Sequence, residues 1–279
     1  MQHGSAPFLE TVRMIEESGI AVCGLRAADG RAAVPASVER NGLDVAFLGY
    51  SLRPRQYFTD EPLYAEGDRE HIIADVRHAR DRHDAVVVSL HWGDEFVDTP
   101  SPEEVSLAHA VMDAGAALIV GHHPHVLRGI ERYGRGFIVY SLGNFVCDMT
   151  WDERMRESAV LRCTLTPDGV SELELVPVRI NGDCRPEPLA GDRRARLERR
   201  IAALSDQLHN LRATAPPDEA RGYRWVAEQA LRDERRKAHR YFLRNLHRYP
   251  SGILVQQLRT FVRNRLADRW GSTANSGRS

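Results

Sequence analysis

Two aliphatic runs that each end in histidine constrain the fold of this chain more than any other feature. Residues 116–120 are followed by Gly121 and by histidines at positions 122, 123 and 125, and residues 86–90 are followed by His91. Such runs are typical of buried parallel strands, and open α/β sheets bind ligands at the carboxyl ends of their strands. The pattern therefore predicts an α/β fold with histidines at one sheet edge, which favours a metal site and hydrolytic chemistry.

Composition excludes several other classes of protein. A chain of 279 residues can hold one large α/β domain, or one domain with an appendage. The formal net charge of −1 provides no overall field that would attract nucleic acid or an acidic membrane. Four widely spaced cysteines, none in a CxxC pair, exclude a disulfide scaffold and a zinc ribbon.

The sequence also bears on location. It contains no apolar run of about 18 residues, so no membrane span is predicted. Its first residues lack the basic-then-apolar pattern of a signal peptide. As written, the chain is predicted to be cytoplasmic, and an additional N-terminal segment would leave export or membrane attachment open.

Periodicity and turn residues predict the order of elements up to residue 190. A helix is expected over residues 7–18, a short strand at 20–24 and another helix at 69–83. Ser101, Pro102 and Glu104 form the signature of a capping box at the start of a third helix, which ends at Gly115. Hairpins are predicted around Asn41-Gly42, around residues 134–136 and around residues 167–169.

The character of the sequence changes near residue 190. Arg- and Glu-rich segments with a thin apolar stripe predict helices at residues 196–211 and 222–246, and a shorter helix is expected at 253–266. We therefore expect three regions: residues 1–190 as the α/β domain, 191–270 as a helical C-terminal region, and 271–279 as a disordered tail.

The histidines are the candidate ligands. His123 and His125 would point to the same side of an extended backbone and His122 to the other, while His91 would complete the face from a second strand. Asn144, after another strand, would add an amide oxygen or a hydrogen-bond donor. Glu95 lies close enough to His91 in sequence to serve as a ligand or as a general acid/base.

These residues resemble the motifs of one bacterial family. The segments that carry the resemblance are His-Trp-Gly-Asp-Glu-Phe at 91–96, Val-Gly-His-His-Pro-His-Val at 120–126 and Tyr-Ser-Leu-Gly-Asn-Phe at 140–145. They are similar to the CapA family of capsule or poly-γ-glutamate biosynthesis proteins, within the calcineurin-like metallophosphatase superfamily. The resemblance implies a metallophosphatase-like α/β sandwich with a helical C-terminal extension.

The resemblance also implies roles for individual residues. His91 matches the family's single histidine ligand after a middle strand, and His123 and His125 match its terminal His-x-His pair. His122 would either face the substrate or support a ligand from behind, and Glu95 and Asn144 fall on family motifs. The implied cofactor is one or two ions of a divalent transition metal (Zn, Mn or Fe), because histidine-rich ligation does not suit magnesium.

One part of the family pattern is missing from this sequence. Gly4 resembles the glycine that follows the family's Asn-His block, and the Gly-Asp and Asn-His ligands that would precede it do not occur here. We therefore expect a sandwich that lacks its first strands and a metal centre without that aspartate.

Three functions follow as hypotheses. The first is a metal-dependent hydrolase that acts on a small-molecule or polymer substrate, in the family's case capsular polyglutamate or a phosphoester. The second is a non-catalytic remnant that serves as a binding or assembly partner. The third is a nucleic-acid contact through residues 235–248, where basic and aromatic side chains interleave. Elsewhere on the Arg-rich helices acidic residues are interspersed, which favours solvated faces, so nucleic acid has no strong case. The sequence does not determine the oligomeric state.

Overall fold

The computed structural model describes residues 4–28, 31–53, 63–208, 217–248 and 252. The helices are α1 (Ser5–Glu17), α2 (Arg69–Arg80), α3 (Pro102–Asp113), α4 (Glu153–Arg156), α5 (Gly191–Leu208) and α6 (Pro217–Arg244), followed by a 3-10 turn at Leu246–Arg248. The strands are β1 (Leu25–Arg26), β2 (Ala33–Val34), β3 (Ala36–Arg40), β4 (Leu43–Ser51), β5 (Ala85–His91), β6 (Leu118–His122), β7 (Ile130–Tyr133), β8 (Gly136–Val139), β9 (Glu157–Thr166), β10 (Gly169–Ile180) and β11 (Pro186–Pro188).

A six-stranded mixed sheet forms the centre of the fold. Its strand order is β3-β4-β5-β6-β8-β7, with β4, β5, β6 and β8 parallel and the two edge strands antiparallel to their neighbours. The inner strands are almost continuously apolar because both faces of the sheet are covered. The predicted α/β class is confirmed.

The two faces of this sheet are covered by different layers. On one face, α2 and α3 bury apolar residues such as Ile72, Val76 and Val111 against the central strands. On the other face, a three-stranded antiparallel sheet of order β11-β10-β9 packs its apolar side chains, including Val170, against Val87 and Val139. The result is an α/β sandwich with helices outside one face and a second sheet outside the other.

The predicted turns are confirmed by the backbone. Asn41 and Gly42 have φ angles of 52° and 75°, the left-handed pair that a two-residue hairpin between β3 and β4 requires. Hairpins also join β7 to β8 and β9 to β10. At the start of α3, the Ser101 side chain accepts from the Glu104 backbone and the Glu104 carboxylate accepts from the Ser101 backbone, which is the predicted capping box.

The N-terminal predictions are only partly confirmed. The helix expected over residues 7–18 is present as α1, with Phe8, Val12 and Ile15 partly buried. The strand expected at residues 20–24 is wrong, because this segment forms no ladder. Gly24 turns with φ 88° and its carbonyl accepts from the Ala65 backbone, and pairing begins only in β1, which joins β2.

The C-terminal helices begin earlier than predicted. α5 starts at Gly191 and buries Leu197, Ile201 and Leu204 against Leu127 and Ala159. α6 starts at Pro217. The helix expected at residues 253–266 and the tail expected at 271–279 lie outside the described residues. None of the described helices is both long enough and apolar enough to cross a membrane.

The chain divides into two units, Met1–Arg232 and Asp233–Ser279. The first contains all three sheets, α1 to α5 and the first half of α6. The described part of the second contains the end of α6 and the 3-10 turn. The region boundaries expected at residues 190 and 270 remain a prediction.

Candidate metal centre

Two of the candidate histidines end neighbouring strands. His91 is the last residue of β5 and His122 the last residue of β6, and the two are paired in register across the parallel ladder. The Trp92 backbone N–H donates to the His122 carbonyl at 3.1 Å, which ties together the two segments that leave the sheet. The predicted convergence at the carboxyl edge of the sheet is therefore present.

The loop after β6 brings His123 and His125 together by an unexpected route. The expected extended backbone is wrong, since His123 and His125 have φ angles of 98° and 63°. Their rings nevertheless lie on one side, with centroids 5.8 Å apart, and the His123 ring lies 4.6 Å from that of His91. Residues other than glycine rarely adopt a positive φ angle, and such backbone strain is concentrated at functional sites.

Glu95 joins this cluster from the loop between β5 and α3. Ligand atoms of Glu95, His123 and His125 all lie within 4.8 Å of one another, and each of the three residues is partly buried. Phe96 has a φ angle of 68°, and its ring stacks on His125 with centroids 5.9 Å apart. The loop is anchored beside the histidines because the Phe96 N–H donates to the Pro124 carbonyl at 2.8 Å.

The Asn144 side chain contacts His125. The buried Asn144 Oδ1 lies 2.8 Å from His125 Nδ1, and its Nδ2 donates to the carbonyls of His125 and Met155. An amide oxygen only accepts, so Nδ1 carries the proton and the Nε2 lone pair is left for a ligand. This is how metal-binding histidines are usually oriented by a second residue.

The electrostatics favour the neutral form of His91 and His123. Burial, followed by the neighbouring His91 and the Arg53 guanidinium, lowers the pKa of His123 to about 3. Partial desolvation, followed by the charges of His122 and His125, also lowers the pKa of His91. Metal binding requires the neutral ring, so the site is electrostatically prepared for a cation.

One nitrogen gives a direct test of whether a metal fits. His123 Nε2 is buried and has no hydrogen-bond partner within the part of the chain that the structure describes. Leaving a buried polar atom unsatisfied costs about 1–3 kcal/mol, which a bound cation would remove. The residues present therefore fit a divalent ion.

His122 and Trp92 lie outside the three-residue group. Burial lowers the pKa of His122, and its ring is partly exposed at the end of β6. Trp92 is fully buried, and its Nε1 donates to the Tyr140 carbonyl. The Trp92 ring stacks on the Tyr140 ring, with centroids 5.8 Å apart. Trp92 therefore has a packing role.

Two arginines beside the cluster were missed by the sequence analysis. Arg128 is 1% exposed and donates to the carbonyls of Asp94 and Val97 and to the Glu104 carboxylate. Arg53, just after β4, donates to the Gly93 carbonyl at 2.8 Å. In the sequence, Arg128 is marked only by its position directly after the apolar pair Val126-Leu127. That position does not indicate which groups the guanidinium contacts.

The family model described as "Bacterial capsule synthesis protein PGA_cap" matches residues 1–149, a segment that includes every residue of the cluster. The chain belongs to this family. The PGA_cap match agrees with the sequence resemblance, and it ends shortly after Asn144.

Curated relatives of this PGA_cap-family chain match about half of it. "PGA biosynthesis protein CapA" of Bacillus subtilis is 39% identical over 155 residues, which is 54% of this chain and 40% of the relative. "Capsule biosynthesis protein CapA" of Bacillus anthracis is 38% identical over 53% of this chain and 38% of the relative. A probable polyglutamine synthesis accessory protein of Mycobacterium tuberculosis is 27% identical over 52% of this chain and 40% of the relative. The matches thus span about two fifths of the relatives' length.

A solved structure with partial similarity is a putative 5'-nucleotidase from Staphylococcus aureus. It aligns with a TM-score of 0.42 and 14% identity over 72% of this chain and 40% of the other.

Proposed function

We propose that this chain carries a divalent-metal site of a hydrolase that acts in the synthesis or processing of poly-γ-glutamate capsule. The observation that carries the proposal is the convergence of Glu95, His123 and His125, with the buried His123 Nε2 left without a partner among the described residues. Membership of the PGA_cap family and the printed names of the relatives support the capsule context.

In this proposal the ligands are Glu95, His123 and His125, with His91 beside His123 as the next donor. Asn144, the fourth ligand expected from the sequence, instead orients His125 through its Nδ1. Mixed imidazole and carboxylate donors suit zinc, manganese or iron better than magnesium. The second metal ion stays a prediction from the sequence resemblance.

A bound ion of this kind supplies Lewis acidity and lowers the pKa of a coordinated water. The chain's own residues provide the surroundings. Glu95 contributes the negative charge of the ligand set. We assign it this role rather than the general acid/base role that its position in the sequence also allows. In this proposal His122, the last residue of β6, faces the substrate. Arg53 brings positive charge beside the histidines, as a carboxylate or phosphate group would require.

Metal content tests the proposal. The purified full chain should retain close to one equivalent of a transition metal after dialysis, as measured by elemental analysis, and His123→Ala should lose it. His71→Ala, which changes an exposed histidine on α2, should retain the metal. Absence of metal from the wild-type chain, also after incubation with zinc, manganese and iron(II), would overturn the proposal.

Activity separates the enzyme from the binding partner. The loaded chain is assayed with a chromogenic phosphomonoester and with poly-γ-glutamate, whose chain length is followed by size-exclusion chromatography. Hydrolysis that His123→Ala abolishes and His71→Ala leaves unchanged supports the enzyme. Metal binding without hydrolysis of either substrate would favour the alternative, an assembly partner in capsule synthesis.

A further inference from the structure

The loop that carries Glu95 is held by residues on both sides of it. This Glu95 loop (residues 92–98) is anchored at the Asp94 carbonyl by Arg128 Nη2, at 3.0 Å, and at the Val97 carbonyl by Arg128 Nε, at 2.9 Å. One buried guanidinium therefore fixes the backbone before and after Glu95. Fixing both flanks restricts where the carboxylate can lie, which a ligand requires.

Arg128 is in turn held by α3. Its Nη1 donates to Glu104 Oε1 at 2.6 Å, and the other oxygen of Glu104 accepts from the Ser101 backbone. Both side chains are buried, so the pair is not weakened by solvent. A Cβ on Gly93 would lie 2.2 Å from Glu104 Oε1, so only glycine lets the Glu95 loop pass over this pair.

The first half of α6 contacts the residue that follows this loop and the side chains beside it. The Tyr223 hydroxyl donates to the Thr99 carbonyl at 3.5 Å, and Arg128 interacts with the same hydroxyl. About two turns further along the helix, Ala230 and Leu231 pack against the cluster of Phe96, Val126 and Met155, and the Phe96 ring stacks on His125. All of these α6 residues belong to the same unit as the histidines.

We propose that α6 is a positioning element of the metal site: Tyr223 and Leu231 act through Arg128 and Phe96 to hold Glu95 in ligand geometry. This inference rests on the proposed metal site. It also assigns a role to a helix that lies beyond the 149 residues matched by the family model.

Cobalt(II) binding to the full chain tests the inference, because cobalt reports both affinity and ligand geometry through its visible absorption. The double variant Tyr223→Phe/Leu231→Ala should bind Co²⁺ about tenfold more weakly, at the lower end of the effect of residues that orient ligands. Its spectrum at saturating cobalt should shift towards that of Glu95→Gln. Trp225→Ala is the matched control, since Trp225 is an exposed aromatic residue of the same helix (63% exposed), and it should bind like the wild type.

A double-mutant cycle distinguishes positioning from a merely structural role. In the Glu95→Gln background the two α6 substitutions should cause no further loss of affinity, because they act through the missing carboxylate. Thermal unfolding of each variant confirms that binding is measured on folded protein.

Three results would overturn the inference. Wild-type affinity and spectrum in the folded α6 double variant would show that α6 does not act on the site. An equal additional loss in the Glu95→Gln background would show an effect independent of Glu95. If the wild-type chain itself binds no cobalt that His123→Ala removes, the proposed metal site fails first, and the inference fails with it.

Discussion

Single side chains at the strand ends determine whether the histidine cluster can receive a cation. The site depends on nitrogens that are neutral and correctly aimed, and two features provide this. Burial among other imidazoles disfavours protonation of His123, and Asn144 holds His125 with its Nε2 available. Both features are testable without knowledge of the substrate.

Replacing Asn144 should weaken metal binding without removing a direct ligand. Asn144→Ala deletes the acceptor of His125 Nδ1, so the ring loses its fixed orientation and zinc affinity should fall about 10–100-fold. Isothermal titration calorimetry of the full chain measures this. Asn181→Ala, in an exposed turn, is the control. Unchanged affinity in Asn144→Ala would show that Asn144 does not orient a ligand.

Acid should destabilise the metal-free protein partly through His123. The pKa of this ring lies near 3 in the folded chain and near 6.5 when unfolded, so between these values the unfolded state binds the proton. The contribution of His123 to stability is therefore intact above about pH 6.5 and is lost progressively as pH falls towards 3. Urea unfolding with chelator at several pH values between 7.5 and 4.5 measures it. The pH dependence should be weaker in His123→Gln, and an identical slope would contradict the assignment.

At the scale of elements, the site depends on how closely neighbouring strands approach. β6 ends in Gly121-His122, and the position of Gly121 leaves no space for a side chain. A Cβ there would lie 2.2 Å from the Tyr140 carbonyl oxygen and 2.5 Å from Trp92 Nε1. The glycine therefore lets Trp92 and Tyr140 pack beneath the histidines.

Gly121→Ala should destabilise the fold even though only one methyl group is added. The contacts are to backbone and to a fully buried ring, neither of which can yield easily, so we expect a loss of about 1–3 kcal/mol in the free energy of unfolding. Gly182→Ala adds the same group where nothing lies within 4 Å and should have little effect. Equal urea midpoints for the two variants would contradict this account.

At the scale of the whole molecule, α5 packs against the sandwich, and the predicted domain boundary at residue 190 lies just before it. Leu197 is 1% exposed and packs in a cluster with Leu127 and Ala159, and the Ser205 hydroxyl accepts from the Ile130 backbone. A chain cut at residue 190 would expose this apolar surface of the second sheet.

Leu197→Ala should therefore lower the stability of the first unit as a whole. Removing a buried leucine side chain costs about 2–5 kcal/mol, and tryptophan fluorescence and circular dichroism should report one coincident transition at lower urea concentration. Arg199→Ala, on the exposed side of α5, is the control. An early transition confined to helical signal would instead show that α5 unfolds separately, as a boundary at residue 190 implies.

The sequence by itself determined the α/β class, the hairpins and the edge at which the histidines meet. These features follow from local causes: apolar runs that need burial on both faces, an Asn-Gly pair that favours a left-handed turn, and a capping box at Ser101. The family motifs also marked Glu95, His91 and the His-x-His pair, because they lie in short contiguous segments.

Only the tertiary structure decided how that edge becomes a site. The positive φ angles at His123 and His125 are seen only in the folded loop, where the sequence predicted an extended backbone. Asn144 contacts His125 across 19 positions of sequence, and Arg128 reaches Asp94 across 34. Tyr223 of α6 reaches Thr99, directly after the Glu95 loop, across 124 positions. Sequence patterns report what each segment needs locally, whereas the partners of a buried polar group depend on which segments the completed sandwich brings together.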